Sequence, residues 1–274
     1  MTAPLGAAQR CAVIGHPAGH SLSPVMHRAG YRHLGLGWTY EAVDVAPGQV
    51  DAFIGGLDAS WRGLSVTMPH KEAILAHGEP DDLVRLVGAA NTLILGSDPI
   101  VRNTDVTGFE AACRSAGVLP DNATIAGAGA TTRSVLVALA RLGCRLVTVL
   151  ARRPEQAAGL RPLAEAVGIT LTQAPLDADP RPTDLVVSTI PGDGLASVAE
   201  GLASATACVF DVAYDPWPTP LAAAASRLGL PVLDGIDLLA HQAVDQLRLM
   251  TGGSVPVDLL LVAARDEMSR RAVT

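Results

Sequence analysis

A chain of 274 residues, 49% of them apolar and 3% aromatic, is long enough for two ordinary domains with sizeable cores. Its formal net charge of −7 is carried by dispersed acidic residues, with no basic stripe interleaved with aromatics, which argues against nucleic acid and against an anionic membrane surface as partners. No apolar run approaches the ~20 residues needed to cross a bilayer, and the N-terminal residues lack the basic start and apolar run of a leader.

Short β-like runs alternate with helical patterns along the whole chain, the signature of an α/β protein with mostly parallel strands. Residues 11–14 read as a strand and 24–34 as a helix. The segment between them, Gly15-His16-Pro17-Ala18-Gly19-His20-Ser21-Leu22-Ser23-Pro24, puts two hydroxyls just before a helix that starts with proline. Capping by Ser23 accounts for one hydroxyl, but not for Ser21 as well. Two hydroxyls and a helix N-terminus together suit a substrate carboxylate, with His16 and His20 as neighbours of such a cleft.

Residues 38–43 read as a second strand, 49–57 as a helix and 64–67 as a third strand. The run Ser65-Val66-Thr67-Met68-Pro69-His70-Lys71 then predicts a strand stopped by proline and a helix from about residue 70. Lys71 would fall in that helix's first turn, where the dipole disfavours a cation. A residue that opposes a local rule points toward function, against the plain alternative of a solvated lysine.

Short strands are expected at 92–95 and 100–102, around a turn at Ser97-Asp98-Pro99, with a helix over 104–116. Asn91-Thr92 and Asn103-Thr104-Asp105 lie at their ends. Taken alone, Asp105 reads as a capping acid in a first helical turn. All three polar clusters occur where a strand ends, the place where open α/β sheets bind ligands.

The turn-rich stretch 117–122 leads into something new: a strand at 124–126, a helix at 131–142 and a strand at 145–150, one βαβ unit of ordinary length. Its first connection, Gly127-Ala128-Gly129-Ala130-Thr131-Thr132, has two glycines that let the backbone turn tightly and approach a pyrophosphate at the helix N-terminus. Thr132 takes the place of the usual third glycine, and a turn built only for close packing is the competing explanation. At the end of the second strand a dinucleotide binder selective for NAD carries an acid. Here Leu150-Ala151-Arg152-Arg153-Pro154 offers two guanidiniums, which suit a 2′-phosphate and predict NADP.

Further strands are expected at 185–188, 207–212 and 232–233, and two helices over 236–271 separated near Gly252-Gly253. The cysteines, Cys11, Cys113, Cys144 and Cys208, sit far apart in apolar stretches, as buried reduced thiols of a cytoplasmic protein do. None of the seven histidines has a metal-site spacing, so no metal is expected. His241 reads equally well as a packed residue or a cap.

Over almost its whole length the chain resembles the shikimate dehydrogenase family. The resemblance rests on His20-Ser21-Leu22-Ser23-Pro24, Val66-Thr67-Met68-Pro69-His70-Lys71, Ala90-Asn91-Thr92, Asn103-Thr104-Asp105, Gly127-Ala128-Gly129, the stretch DVAYDPWPTPL from Asp211, and Gly235 through His241-Gln242-Ala243. It implies an α/β substrate domain (1–106), a Rossmann-like NADP domain (107–236) and C-terminal helices (237–274) that complete the substrate domain. It implies reversible, NADPH-dependent reduction of 3-dehydroshikimate to shikimate, in the formation of aromatic amino acid precursors.

By position, Ser21 and Ser23, with Tyr214, would hold the substrate carboxylate. Thr67, Asn91, Asp105 and Gln242 would hold ring hydroxyls, and Lys71 and Asp105 would form the catalytic pair beside the nicotinamide in a cleft between the domains. Ser65 stands where the family often has asparagine and would still donate to the substrate. Gly127, Ala128, Gly129, Ala130, Thr131, Arg152 and Arg153 would hold the phosphate-bearing half of the cofactor, and Thr189, Val212 and Gly235 its nicotinamide half. Ala151 and Arg153 replace the family's usual residues around the arginine that reads the 2′-phosphate, and Val106 replaces a common glycine. The expected partner is a small molecule, with the protein a cytoplasmic monomer or homodimer. A quinate or quinate/shikimate dehydrogenase and a non-catalytic NADP-binding regulator are the competing readings. The arginine pair speaks against the first, and the intact Lys, Asp, Asn and Ser set against the second.

Overall fold

The computed structural model describes residues 8–272. Most of the N-terminal stretch read for the absence of a leader, residues 1–7, lies outside them. The chain divides into two compact units, Met1–Gly108 with Leu239–Thr274, and Phe109–Leu238.

The first unit opens with β1 (Arg10–Gly15), α1 (Ser23–His33), β2 (Thr39–Asp44), α2 (Val50–Gly55) and β3 (Trp61–Val66). Residues 11–15 of β1 are all buried, the continuous burial of a strand covered on both faces. Next come a 3-10 turn (Ala73–His77), β4 (Glu79–Pro80), α3 (Asp82–Val87), β5 (Thr92–Ile94) and β6 (Ile100–Arg102), with α4 (Thr104–Ser115) following. The six strands are ordered β2-β1-β3-β5-β6-β4. β1 runs parallel to β2 and β3, whereas β5 is antiparallel to both β3 and β6. The turn at Ser97–Pro99 joins β5 and β6 directly, and strands joined that way must pair antiparallel. The core of this unit gathers Ala12, Ile14, Leu64, Leu93 and Val101.

The helix expected from residue 70 is absent. Residues 68–72 form turns, and only the short 3-10 turn follows. The run is cut off at Gly78, whose extended backbone lies so close to β6 that a Cβ there would sit 2.9 Å from the Ile100 carbonyl carbon. Too few residues remain to nucleate an α-helix. Lys71 therefore opposes no helix dipole, and that argument for its importance falls away. α3, which the sequence reading passes over, is well bounded: the Asp81 side chain accepts from Val84 N, and Gly88 ends the helix at φ +67.

The second unit contains β7 (Asn122–Ala126), α5 (Ala130–Leu142), β8 (Leu146–Ala151), α6 (Pro154–Ala158), α7 (Arg161–Ala166) and β9 (Thr170–Pro175). It continues with β10 (Thr183–Ser188), α8 (Ala199–Ser204), β11 (Thr206–Asp211), α9 (Pro220–Arg227) and β12 (Val232–Leu233). Its six strands are ordered β12-β11-β10-β7-β8-β9, and all pairs are parallel. Counted within the unit this is the 3-2-1-4-5-6 order of a dinucleotide-binding sheet, with its switch point between β7 and β10. Ala126, Leu150, Val186, Val209 and Leu221 lie in its core.

Two long helices end the chain, α10 (Gly235–Thr251) and α11 (Val257–Ala272). α11 packs on α1, and α10 approaches α1 where Gly30 leaves room for the Leu247 side chain.

Candidate active site

In the first unit, Lys71 Nζ lies 2.5 Å from Asp105 Oδ2, and the two side chains are 14% and 6% exposed. Asp105 is not the cap of α4. Asn103 does that work, its Oδ1 accepting from the backbone N–H groups of Asp105 (3.1 Å) and Val106 (3.2 Å). The Asp105 carboxylate is thereby left to Lys71 on one oxygen and to Asn91 Nδ2, at 2.9 Å, on the other. Asn91 Nδ2 also donates to Gln242 Oε1 at 2.6 Å. Gln242 reaches this point because Gly108 has no side chain: a Cβ there would lie 2.8 Å from the Gln242 backbone nitrogen.

Thr67, half-buried just past β3, packs on Gly15, where a Cβ would sit 2.3 Å from Thr67 Cγ2. Lys71, Asp105, Asn91 and Gln242 are thus brought together, with Thr67 on the strand end that leads into the Lys71 turn. Ser21 is half-buried and Ser23 buried. Ser23 does not cap α1. The N-cap position is Leu22, without a side-chain cap bond, and it is Ser21 Oγ that accepts from Ser23 N at 3.2 Å.

Ser65, expected at the substrate, is engaged internally. Its hydroxyl accepts from Tyr40 Oη at 2.6 Å and donates to Gln246 Oε1 at 2.8 Å, and the residue is 3% exposed. Near the end of β3 it faces the protein, and its one proton is already placed.

The sequence reading also misses the anchors of the loop that carries Ser21. Asp44 takes His16 Nδ1 at 2.5 Å on Oδ1 and the Ala18 N–H at 3.3 Å on Oδ2. The His16 hydrogen bond, the largest influence, holds the Asp44 carboxyl below its ordinary pKa. Arg271 Nη1 donates to the His20 carbonyl at 2.7 Å. His20 itself is exposed.

In the second unit, Gly127 follows β7 with φ +118, and a Cβ there would lie 2.1 Å from Thr189 Oγ1. Thr189 Oγ1 bonds the Ala126 carbonyl at 3.0 Å and pairs with Thr132 Oγ1 at 2.9 Å. The residue in the third-glycine place therefore ties α5 to the end of β10. Gly129 is the N-cap of α5, and a Cβ added to it meets nothing within 4 Å. Ala130 and Thr131 form the helix's first turn beside it.

A cavity of about 450 Å³ opens here, lined by Gly127, Ala128, Gly129, Arg152, Arg153 and Thr189 among others. Its size suits a cofactor site. The space left by Gly129 and the exposed guanidiniums of Arg152 and Arg153 at the end of β8 fit a dinucleotide that carries a 2′-phosphate. Nearby in the chain, Val212 N donates to Ser188 O at 3.0 Å, and a Cβ at Gly235 would lie 2.2 Å from Val212 O and 2.9 Å from Tyr214 Cδ1. Val212, Tyr214 and Gly235 are thus packed as one group. Asp211, at the end of β11, accepts from Thr219 Oγ1 at 2.6 Å and from Ala213 N at 3.2 Å, while burial pushes its carboxyl pKa up. Among the described residues no group of acids, histidines and cysteines is arranged to hold a metal ion.

The sequence model described as the shikimate dehydrogenase substrate binding domain matches residues 13–93. The chain is 38% identical to the shikimate dehydrogenase (NADP(+)) of Rubrobacter xylanophilus, with 88% of this chain and 89% of that protein covered. Among solved structures it is similar to the shikimate dehydrogenase of Mycobacterium tuberculosis (37% identity, TM-score 0.87, 94% of this chain and 99% of that one). It is similar also to the shikimate 5-dehydrogenase of Thermus thermophilus, solved in complex with NADP(H) and shikimate (32% identity, TM-score 0.80, 94% and 99% covered). With a dinucleotide sheet and a buried lysine–aspartate pair in one chain, and relatives of this identity over nearly all of it, the protein belongs to the shikimate dehydrogenase family.

Proposed function

We propose that this protein catalyses the reversible, NADPH-dependent reduction of 3-dehydroshikimate to shikimate, in the formation of aromatic amino acid precursors. It is an oxidoreductase acting on a CH–OH group, and NADP is its cofactor. The observation that carries the reading is the Lys71–Asp105 pair at 2.5 Å, held by Asn91 and framed by Gln242.

Substrate binds to residues 1–106 completed by 237–274, and NADP to residues 107–236. Ser21 and Ser23, with Tyr214, hold the carboxylate. Thr67, Asn91, Asp105 and Gln242 hold the ring hydroxyls. When bound, NADPH supplies the hydride that reduces the ring ketone. The electron pair of the C=O bond moves onto oxygen, and the Lys71 ammonium gives that oxygen its proton. Asp105 holds the ammonium in place and keeps its own second oxygen on Asn91, so the donor is oriented before substrate arrives. In the oxidative direction Lys71, as amine, takes the hydroxyl proton. Arg152 and Arg153 bind the 2′-phosphate, Gly127, Ala128, Gly129, Ala130 and Thr131 the pyrophosphate, and Thr189, Val212 and Gly235 the nicotinamide half. The enzyme works in the cytoplasm as a monomer or homodimer. In support, no helix among the described residues is long and apolar enough to cross a membrane, and all four cysteines are free and buried.

Steady-state reduction of NADP⁺ and NAD⁺ with shikimate and with quinate tests the reading. Turnover of shikimate with NADP⁺ above the other three combinations is expected. Preference for quinate with NAD⁺, or binding of NADPH with no turnover of either substrate, would replace it with one of its two rivals.

A further inference from the structure

Two backbone groups orient the side-chain amides beneath the Lys71–Asp105 pair. The Thr104 N–H donates to Asn91 Oδ1 at 2.8 Å, so the other end of that amide must be its NH₂. Asn91 Nδ2 therefore donates to Gln242 Oε1, and what Gln242 has left to present is its own NH₂.

Independently, the Asn91 carbonyl accepts from Gln246 Nε2 at 3.2 Å, which fixes the second glutamine's amide. Its Oε1 then takes the Ser65 hydroxyl proton at 2.8 Å, and Ser65 in turn takes that of Tyr40 at 2.6 Å. Thr92 joins the two halves: its hydroxyl accepts from Gln246 Nε2 at 3.1 Å and donates to Asn91 Oδ1 at 3.0 Å. No donor meets a donor anywhere along this chain. Gln246 is 1% exposed and lies one helical turn beyond Gln242 on α10.

We propose that Gln246 is a positioning residue for the substrate: through Thr92 and Asn91 it holds Gln242 with its NH₂ toward the ligand, as a donor to a substrate hydroxyl. This rests on the assignment of Gln242 to a ring hydroxyl under the proposed function. Without Gln246, the Thr92 hydroxyl loses the donor that orients it and the Asn91 carbonyl loses an N–H, so Asn91, still kept the right way round by the Thr104 N–H, holds Gln242 and its NH₂ less firmly toward the ligand. The hydrogen bond from that NH₂ to the substrate hydroxyl is weakened, so binding weakens while Lys71 keeps its Asp105 partner.

The test is steady-state shikimate oxidation with NADP⁺ by the whole protein. It compares wild type, Gln246→Met (similar volume, no polar group), Gln242→Ala and the double variant. Gln246→Met is expected to raise KM for shikimate on the order of tenfold, the scale of one lost hydrogen bond, with kcat and KM for NADP⁺ little changed. Because Gln246 acts through Gln242, the double variant is expected to match Gln242→Ala. An unchanged KM for shikimate in Gln246→Met, or effects that multiply in the double variant, would overturn the inference. If Gln246→Met does not fold, the isosteric Thr92→Val decides the matter: a raised KM that vanishes in the Gln242→Ala background supports it, and an unchanged KM overturns it. Absence of shikimate oxidation by the wild type would instead defeat the proposed function, and this inference with it.

Discussion

Gly127 and Thr189 meet so closely that a Cβ on the glycine would lie 2.1 Å from the threonine hydroxyl, whereas two residues on, a Cβ at Gly129 meets nothing within 4 Å. The first glycine serves the protein's own packing, and the second leaves open the space where the proposed cofactor phosphates would sit. Gly127→Ala forces Thr189 off the Ala126 carbonyl at a residue with φ +118, and is expected to lower unfolding free energy by roughly 1–3 kcal/mol and to weaken NADP⁺ binding as well. Gly129→Asp places a favoured N-cap residue on α5. It should leave the melting temperature unchanged or raised, yet weaken NADP⁺ by more than about tenfold, because its carboxylate occupies and repels the phosphate site. Thermal melts and NADPH fluorescence titrations on the two variants separate these roles.

Arg152 and Arg153 follow β8 and are exposed, on the wall of the same cavity. Arg152→Ala is expected to raise KM for NADP⁺ by about tenfold or more, the loss of a charge-assisted contact, and to leave KM for NAD⁺ unchanged. Equal losses with both cofactors would show that the arginine does not read the 2′-phosphate.

The nucleotide sheet is the most legible part of the sequence, because β7, α5 and β8 are regular elements with apolar faces and the arginine pair sits at a strand end. The short helices α6, α7 and α8, each 5 or 6 residues, are too brief to display a helical period. In the substrate unit, residue types are legible and their duties are not. Asp105 has the look of a cap until Asn103 is seen to fill that place. Ser65 reads as a ligand group because nothing local reveals Tyr40 or Gln246, which lies 181 positions away. The sequence singles out Lys71 through a helix that does not form; its partner Asp105 is the sounder reason.

His27 gives stability a specific pH dependence. It is fully buried, stacked on Tyr40 at 4.0 Å, and its Nδ1–H donates to the Ser23 carbonyl at 2.9 Å, while Nε2 is buried without a hydrogen-bond partner. Burial lowers its pKa from 6.5 to about 4. The unfolded chain therefore binds this proton first as pH falls. The contribution is fully present above the unfolded pKa and is lost between pH 6.5 and about 4, on the order of 3 kcal/mol in all. Urea unfolding across that interval should show the decline, and His27→Phe, which keeps the stacking, should flatten it.

Thr219 both caps α9, accepting from Ala222 N at 3.1 Å, and donates to buried Asp211 at 2.6 Å. Thr219→Val removes the two together and leaves a buried carboxyl short of a partner. A loss of roughly 2–4 kcal/mol in urea unfolding is expected. A change within experimental error would mean that water replaces the hydroxyl at Asp211.

Under the proposed function Lys71, held by Asp105, moves the proton. The most direct measurement is kcat for NADP⁺-dependent shikimate oxidation by Lys71→Ala, with circular dichroism and NADPH binding as controls for folding. A fall of ~10²–10⁴-fold with NADPH binding preserved is the predicted result. Turnover near that of the wild type would take Lys71 out of the proton transfer.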